Sequence, residues 1–308
     1  MKIKKPDFWD EKKPNLIAYL LLPVSKMIQI LKSLKKSKNL NFPEIKTICV
    51  GNIYIGGTGK TPLSIKLSKL LNSKNLKAAV IKKFYIDQKD EQMLISKKTN
   101  LISKINRKDS LDSAIRQNFK YAILDDGLQE NYINYDFKIC CFSSNNWIGN
   151  GLTIPAGPLR EKISSIENFD IIFLNGPDIE NKVIKEKILK INSNIKIFEG
   201  SYKLKNSNNL DTSKNYLIFS GIGNPQNFDH TLKENNFKVF KHFTFPDHYN
   251  YKKNEIDNLK KFAKDNNLEI ITTEKDYFRI KEELRSGINF IEIDLEISNE
   301  NELLKLIL

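Results

Sequence analysis

Between residues 47 and 61 the chain reads Thr-Ile-Cys-Val-Gly-Asn-Ile-Tyr-Ile-Gly-Gly-Thr-Gly-Lys-Thr, and no other run constrains the fold as much. Apolar and β-branched residues lead into a glycine loop. Leu63, Leu67, Leu70 and Leu71 then follow at helical spacing. Strand, glycine loop and helix in that order make a phosphate cradle. The N–H groups of Gly57 to Lys60 can wrap phosphate oxygens, and the helix N-terminus favours negative charge there. Gly56, Gly57, Thr58, Gly59, Lys60 and Thr61 are therefore the candidate ATP- or GTP-binding residues. Lys60 would reach the β- and γ-phosphates, and the Thr61 hydroxyl would hold Mg²⁺. The usual spacing places a further Gly at position 54, where this chain has Tyr54. The competing reading of the run is a structural glycine turn.

Such a loop needs an apolar strand ending in an acid beside it. Tyr121-Ala122-Ile123-Leu124-Asp125-Asp126-Gly127 fits, with Asp125 as the Mg²⁺ carboxylate. Taken alone, Asp-Asp-Gly is also a plain turn. Further strand-like runs are 77–81, 138–142, 170–174, 216–219, 269–272 and 290–293, with helical stretches between several of them. The alternation predicts an α/β fold, a doubly wound and mostly parallel sheet of P-loop NTPase type. The expected division is an N-terminal helix over residues 1–40, a P-loop lobe over 41–205, and a smaller α/β lobe over 206–308.

The net charge of +13 invites a nucleic-acid partner, but 45 of the 50 basic residues are Lys and five are Arg. Nucleic-acid readers rely on the bidentate geometry of Arg, so the charge indicates anionic surfaces in general and no nucleic acid. With 35 Asn beside the Lys excess, the composition looks A/T-driven. Cys49, Cys140 and Cys141 all fall in apolar runs and read as small core residues rather than a disulfide framework. No Cys/His spacing suggests zinc.

Residues 16–38 carry a different pattern. Leu20, Val24, Met27, Ile28, Leu31 and Leu34 share one helical face. Lys26, Gln29, Lys32, Ser33 and Lys36 share the opposite one, with Lys35 and Lys38 extending the positive end. An apolar stripe against a lysine face is the pattern of a helix lying in a membrane interface. The plainer reading is a helix packed on the core with its lysines in water. The apolar run Leu16–Val24 contains Pro23 and falls short of the ~20 residues that span a bilayer. Neither a spanning helix nor a secretory signal is expected.

Beyond the P-loop and Asp125-Asp126-Gly127-Leu128-Gln129 come Gly149-Asn150-Gly151, Pro155-Ala156-Gly157-Pro158-Leu159-Arg160-Glu161, Gly221-Ile222-Gly223-Asn224-Pro225, Phe245-Pro246-Asp247-His248 and Thr272-Thr273-Glu274-Lys275-Asp276. With these motifs the chain resembles the tetraacyldisaccharide 4'-kinases, the lipid A 4'-kinases of Gram-negative bacteria, over nearly its whole length. The resemblance implies transfer of the ATP γ-phosphate to the 4'-hydroxyl of a tetraacylated glucosamine disaccharide, the lipid A precursor. It implies a peripheral enzyme at the cytoplasmic face of the inner membrane, in contact with its anionic lipids through the N-terminal helix. By position it makes Lys60, Asp90, Asp126, Arg160 and His248 catalytic, with Asp90 the acceptor-side base paired with His248. It adds Gln129 to the nucleotide residues and Glu161 to Thr61 and Asp125 on the metal. The chain departs from the family at three places: Lys89-Asp90-Glu91-Gln92 replaces Gly-Asp-Glu-Pro, Leu128-Gln129-Glu130 replaces Phe-Gln-His, and Lys82-Lys83-Phe84-Tyr85 replaces Ser-Arg-Gly-Tyr. Asp90 and His248 lie far apart in sequence, so their pairing implies a cleft between lobes that closure would assemble.

Three other classes compete, one of them a non-enzymatic membrane-binding protein, which the intact Lys60, Thr61 and Asp125 disfavour. A membrane-associated partitioning ATPase carries a Lys before Gly-Gly-x-Gly-Lys-Thr, where this chain has Ile55. A nucleic-acid-driven ATPase would need interleaved aromatic and basic residues, which are lacking.

Overall fold

The structure is a computed structural model of the 308-residue chain. It describes all residues except 1–4, 35–38, 86–88, 131, 177 and 207–209. Lys35, Lys36 and Lys38 of the expected basic helix end lie outside the described residues.

Two sheets form the body. The larger has eight strands: β1 (Lys46–Gly51), β2 (Ala78–Lys83), β3 (Leu101–Lys104), β4 (Tyr121–Asp125), β5 (Phe137–Ser143), β6 (Ile171–Asn175), β7 (Lys196–Leu204) and β12 (Ile293–Ile297). Their order is β12-β7-β6-β5-β1-β4-β2-β3, and only β12 runs antiparallel. The smaller sheet is parallel, ordered β11-β10-β8-β9, from β8 (Asn215–Ser220), β9 (Lys238–Thr244), β10 (Glu269–Thr273) and β11 (Ile288–Ile291). Most strands are buried and almost continuously apolar, as a sheet covered on both faces requires. The predicted strands are present with ends shifted by at most two residues.

One expected run is two strands. Residues 290–293 straddle the end of β11 and the start of β12, which belong to different sheets. β12 pairs with β7, Ile293 opposite Leu204. After it, α9 (Glu300–Ile307) packs Leu303, Leu304 and Ile307 into the core under the large sheet, with Leu63, Leu67 and Leu71. The boundary drawn at 206–308 is therefore corrected: residues 293–307 return to the first lobe. Burying the open flank of β7 and the apolar face of α9 drives that return.

The N-terminal segment is not a separate unit either. Trp9 is buried; its indole donates to the carbonyl of Pro155, and its own carbonyl accepts from the N–H of Asn150. Helix α1 (Leu16–Ser33) is capped by the Asn15 side chain. Ala18 and Ser25 are its buried residues. Ser25 Oγ donates to the carbonyl of Thr153 and accepts from the N–H of Ala156. Gln29 is half-buried, and Lys32 Nζ reaches the carbonyl of Arg160. The expected polar face is thus partly turned onto the body. The apolar side chains point outward: Leu16, Leu20 and Leu34 are each at least 70% exposed, and Ile17, Tyr19, Val24, Met27, Ile30 and Leu31 are exposed too. With 18 residues and a mean hydropathy of 1.4, α1 is long and apolar enough to cross a membrane by length and composition.

Candidate active site

The site forms where β1, β4 and β2 end side by side. Val50 of β1 pairs with Asp125 of β4, so the glycine loop leaving β1 and the acid ending β4 are adjacent by register. The loop turns into α2 (Lys60–Ser73) through Gly59 at φ +90°. A Cβ there would be strained by that backbone and would sit 2.6 Å from Asn175 Nδ2, so only Gly fits. Asn52 bridges the loop from inside, donating to the Tyr54 carbonyl (2.6 Å) and Thr58 Oγ1 (3.0 Å). Tyr54, which stands where the pattern has Gly, is held through its backbone. It forms an isolated bridge with Leu159, and Arg160 N–H donates to the Ile53 carbonyl at 2.6 Å. That pairing sets Arg160 beside the P-loop. The Tyr54 hydroxyl is held by Asp10 and Lys5.

Asp125 is fully buried. Its Oδ2 accepts from Thr61 Oγ1 (3.1 Å) and Lys82 Nζ (2.8 Å), and its Oδ1 from Ser64 Oγ (3.2 Å). Asp126 accepts from Arg160 Nη1 (3.0 Å) and lies 3.7 Å from Lys60 Nζ. Burial alone would raise the Asp126 carboxyl, but the charges of Lys60, Arg160 and Lys82 outweigh it and hold the group below its ordinary value. Gln129 donates to the Asn52 carbonyl and accepts from Arg160, so its contacts organise the loop. Glu161 accepts from Gln129 (3.3 Å), and burial raises its carboxyl. Its partners are not those of Thr61 and Asp125. Thr61 Oγ1 and the Asp125 carboxylate are hard oxygen donors and fit Mg²⁺ completed by phosphate and water.

Asp90 and His248 also meet. Asp90 lies in the first turn of α3 (Lys89–Lys98). His248 Nδ1 is 3.3 Å from Asp90 Oδ1. The expected pair is already formed, so no closure is required to bring these two side chains into contact. Sequence reasoning missed the third member. Arg279, at the end of α8 (Glu274–Arg279), forks onto Asp90 Oδ2 at 3.0 and 2.6 Å and onto the buried Asp276 at 2.7 Å. Burial pushes the Asp90 carboxyl up, but the His248 hydrogen bond and the Arg279 charge prevail and lower it to about 2. The scarcity of Arg was the available signal. Three of the five, Arg107, Arg160 and Arg279, belong to this site.

Arg107 was likewise missed. Buried in α4 (Arg107–Arg116), it donates to the carbonyls of Asp125 (2.6 Å) and Asp126 (2.9 Å) and pairs with Glu130 at 3.2 Å. Glu130, a departure from the family pattern, thus neutralises the Arg that clamps the β4 end. The second lobe closes over the P-loop by backbone: a Cβ on Gly223 would lie 3.0 Å from the Gly57 nitrogen. That approach explains Gly223; a Cβ on Gly221 would instead lie 3.0 Å from the Pro246 carbonyl oxygen.

The family profile described as tetraacyldisaccharide-1-P 4'-kinase matches residues 17–308. The chain belongs to this 4'-kinase family. It is 47% identical to a tetraacyldisaccharide 4'-kinase of Pelagibacter ubique, over 99% of each chain. It is 39% identical to one of Rickettsia typhi, over 97% of this chain and 96% of that one. The fold is similar to that of LpxK from Aquifex aeolicus, solved in complex with ATP: TM-score 0.68 and 22% identity, covering 94% and 96% of the two chains. Membership in the 4'-kinase family also fits the geometry, since the segments that converge here are the motifs by which the chain resembles it.

Proposed function

We propose that the protein transfers the γ-phosphate of ATP to the 4'-hydroxyl of a tetraacylated glucosamine disaccharide 1-phosphate, a lipid A precursor. The observation that carries this reading is the meeting of two carboxylate centres. Asp125 lies at the P-loop, Asp90 lies beside His248 and Arg279, and Lys82 joins the two by bridging Asp125 to Glu91, the neighbour of Asp90.

Phosphoryl transfer demands positioning and charge balance more than covalent chemistry. The P-loop N–H groups and Lys60 bind the phosphates, and Arg160 stands beside Asp126 to meet the charge developing on the transferred group. Thr61 and Asp125 would hold Mg²⁺, which when bound neutralises phosphate charge. Asp90 receives the proton of the sugar hydroxyl. A carboxylate held near pKa 2 is a weak base, so the proton moves late, after the new P–O bond has largely formed. His248 orients that carboxylate. Helix α1 seats its exposed apolar face in the cytoplasmic leaflet of the inner membrane, with Lys26 exposed beside it for anionic headgroups. Its inner face holds the 153–160 segment, so the lipid acceptor and Arg160 share one support.

The test is incubation with γ-labelled ATP, Mg²⁺ and the tetraacyl disaccharide 1-phosphate in detergent, with Lys60→Ala and Asp125→Ala as controls. Label should appear on the disaccharide with the wild-type protein and be lost in both variants. Absence of transfer by wild type refutes the reading.

A further inference from the structure

Lys82 is the next-to-last residue of β2, in the stretch where the chain departs most from the family pattern. A Lys is ordinarily exposed, yet this side chain is only 5% exposed. Its ammonium lies 2.8 Å from Asp125 Oδ2 and 2.7 Å from Glu91 Oε2. Burial works against the charge, and the two carboxylates outweigh it, raising the ammonium well above its ordinary value. Glu91 is in turn bound by Lys275 at 2.6 Å and held far below its ordinary value. Two carboxylate oxygens from different elements thus converge on a single cation that is part of the chain.

Mg²⁺ binds carboxylate oxygens at about 2.1 Å and demands a defined octahedron. Asp125 Oδ2 already accepts two hydrogen bonds, from Lys82 and from Thr61. An ammonium and a directly bound divalent ion cannot both occupy that oxygen, and two cations a few ångströms apart repel. We propose that Lys82 is a resident cation of the nucleotide site: it holds Asp125 and Glu91 together when no metal is bound and competes with Mg²⁺ for Asp125. It is a positioning residue, acting through the two carboxylates. The metal then enters this site only with the nucleotide, whose phosphates supply the charge that Lys82 offsets.

The inference rests on Asp125 being the metal-side carboxylate, and its test uses neither acceptor nor turnover, so failure of the kinase reading would be seen separately. Thermal unfolding is followed while Mg²⁺ alone is titrated into wild type, Lys82→Met, Lys82→Gln and Lys82→Arg. Wild type and Lys82→Arg should show no stabilisation by millimolar Mg²⁺. Lys82→Met and Lys82→Gln should be stabilised, with a Mg²⁺ midpoint at least about tenfold lower than any wild-type response, as removal of one charge beside a divalent ion requires. ATP affinity with and without Mg²⁺ gives a second reading: the Mg²⁺ concentration for half-maximal ATP binding should fall in the neutral variants. An unchanged or higher midpoint in those variants overturns the proposal. If neither neutral variant folds, the wild-type arm decides: stabilisation by Mg²⁺ alone would still overturn it, and its absence would support it.

Discussion

Replacing Arg279 by Met removes a cation from a dry site while keeping most of the aliphatic volume. Arg279 and Asp90 are 4% and 5% exposed at the side chain, and Asp276 is fully buried. The variant leaves two buried carboxylates without their shared cation. Asp276 keeps the Gly221 N–H and the Tyr251 and Thr273 hydroxyls, and Asp90 keeps His248. Removing one partner of a buried pair costs about 3–5 kcal/mol. Unfolding entropy of about 2.1 cal/mol/K per residue gives about 0.65 kcal/mol/K for a chain of this length, so Tm should drop by about 6 °C at pH 7.5. The loss should depend on pH in a defined direction. In wild type the Asp90 carboxyl is lowered from 3.8 to about 2, so its ionised form adds stability above the unfolded value, lost as pH falls from 3.8 through 2. Without Arg279, burial pushes the same carboxyl up, and it can take up a proton at pH 4.5 that it cannot take up at 7.5. Thermal unfolding of both proteins at pH 7.5 and 4.5 should therefore show the gap narrowing at the lower pH. A gap below about 2 °C at pH 7.5, or one equal at both pH values, would refute the assignment of Arg279 as the counter-charge of these carboxylates.

Asp90→Asn should lower kcat by about 10²–10⁴-fold with little change in the KM for ATP, as loss of a proton acceptor requires; steady-state kinetics with separate ATP and acceptor titrations checks the split. Exchanging Leu20, Met27 and Leu31 together for Glu should abolish flotation with anionic vesicles while leaving thermal stability nearly unchanged, because all three side chains are exposed. Wild-type stability with loss of binding is the informative result; intact flotation would count against membrane seating by α1. Cys49, Cys140 and Cys141 should resist thiol reagents in the native protein at pH 8 and react in denaturant. All three are fully buried, and desolvation pushes the Cys49 thiol up to about 12.

The P-loop was legible because strand, glycine loop and helix are contiguous, and local conformation is decided by local residues. The same holds for Asp125, which announces itself at the end of an apolar strand, and for the buried cysteines. Asp90 and His248 carry no local signature; a solvated loop acid and a turn histidine look the same, and only the family resemblance singled them out. Arg279 and Arg107 escaped altogether, and Lys82 and Glu91 stood out only as parts of stretches that depart from the family, because a buried ion pair is recognised by partners that come from other elements.

The direction in which α1 faces was open in the same way. Its periodicity marks an apolar stripe, but whether that stripe meets the core or the outside depends on Ser25 and Lys32 finding carbonyls on the 153–160 segment. The return of β12 and α9 to the first sheet was equally invisible, since strand pairing between residues about 90 apart leaves no trace in spacing. What the chain determined by itself is the set of elements and the phosphate loop, through hydrophobic period and backbone freedom. The tertiary structure alone decided which charges became partners, because ion pairing in a dry interior depends on distance in space and on no regularity along the chain.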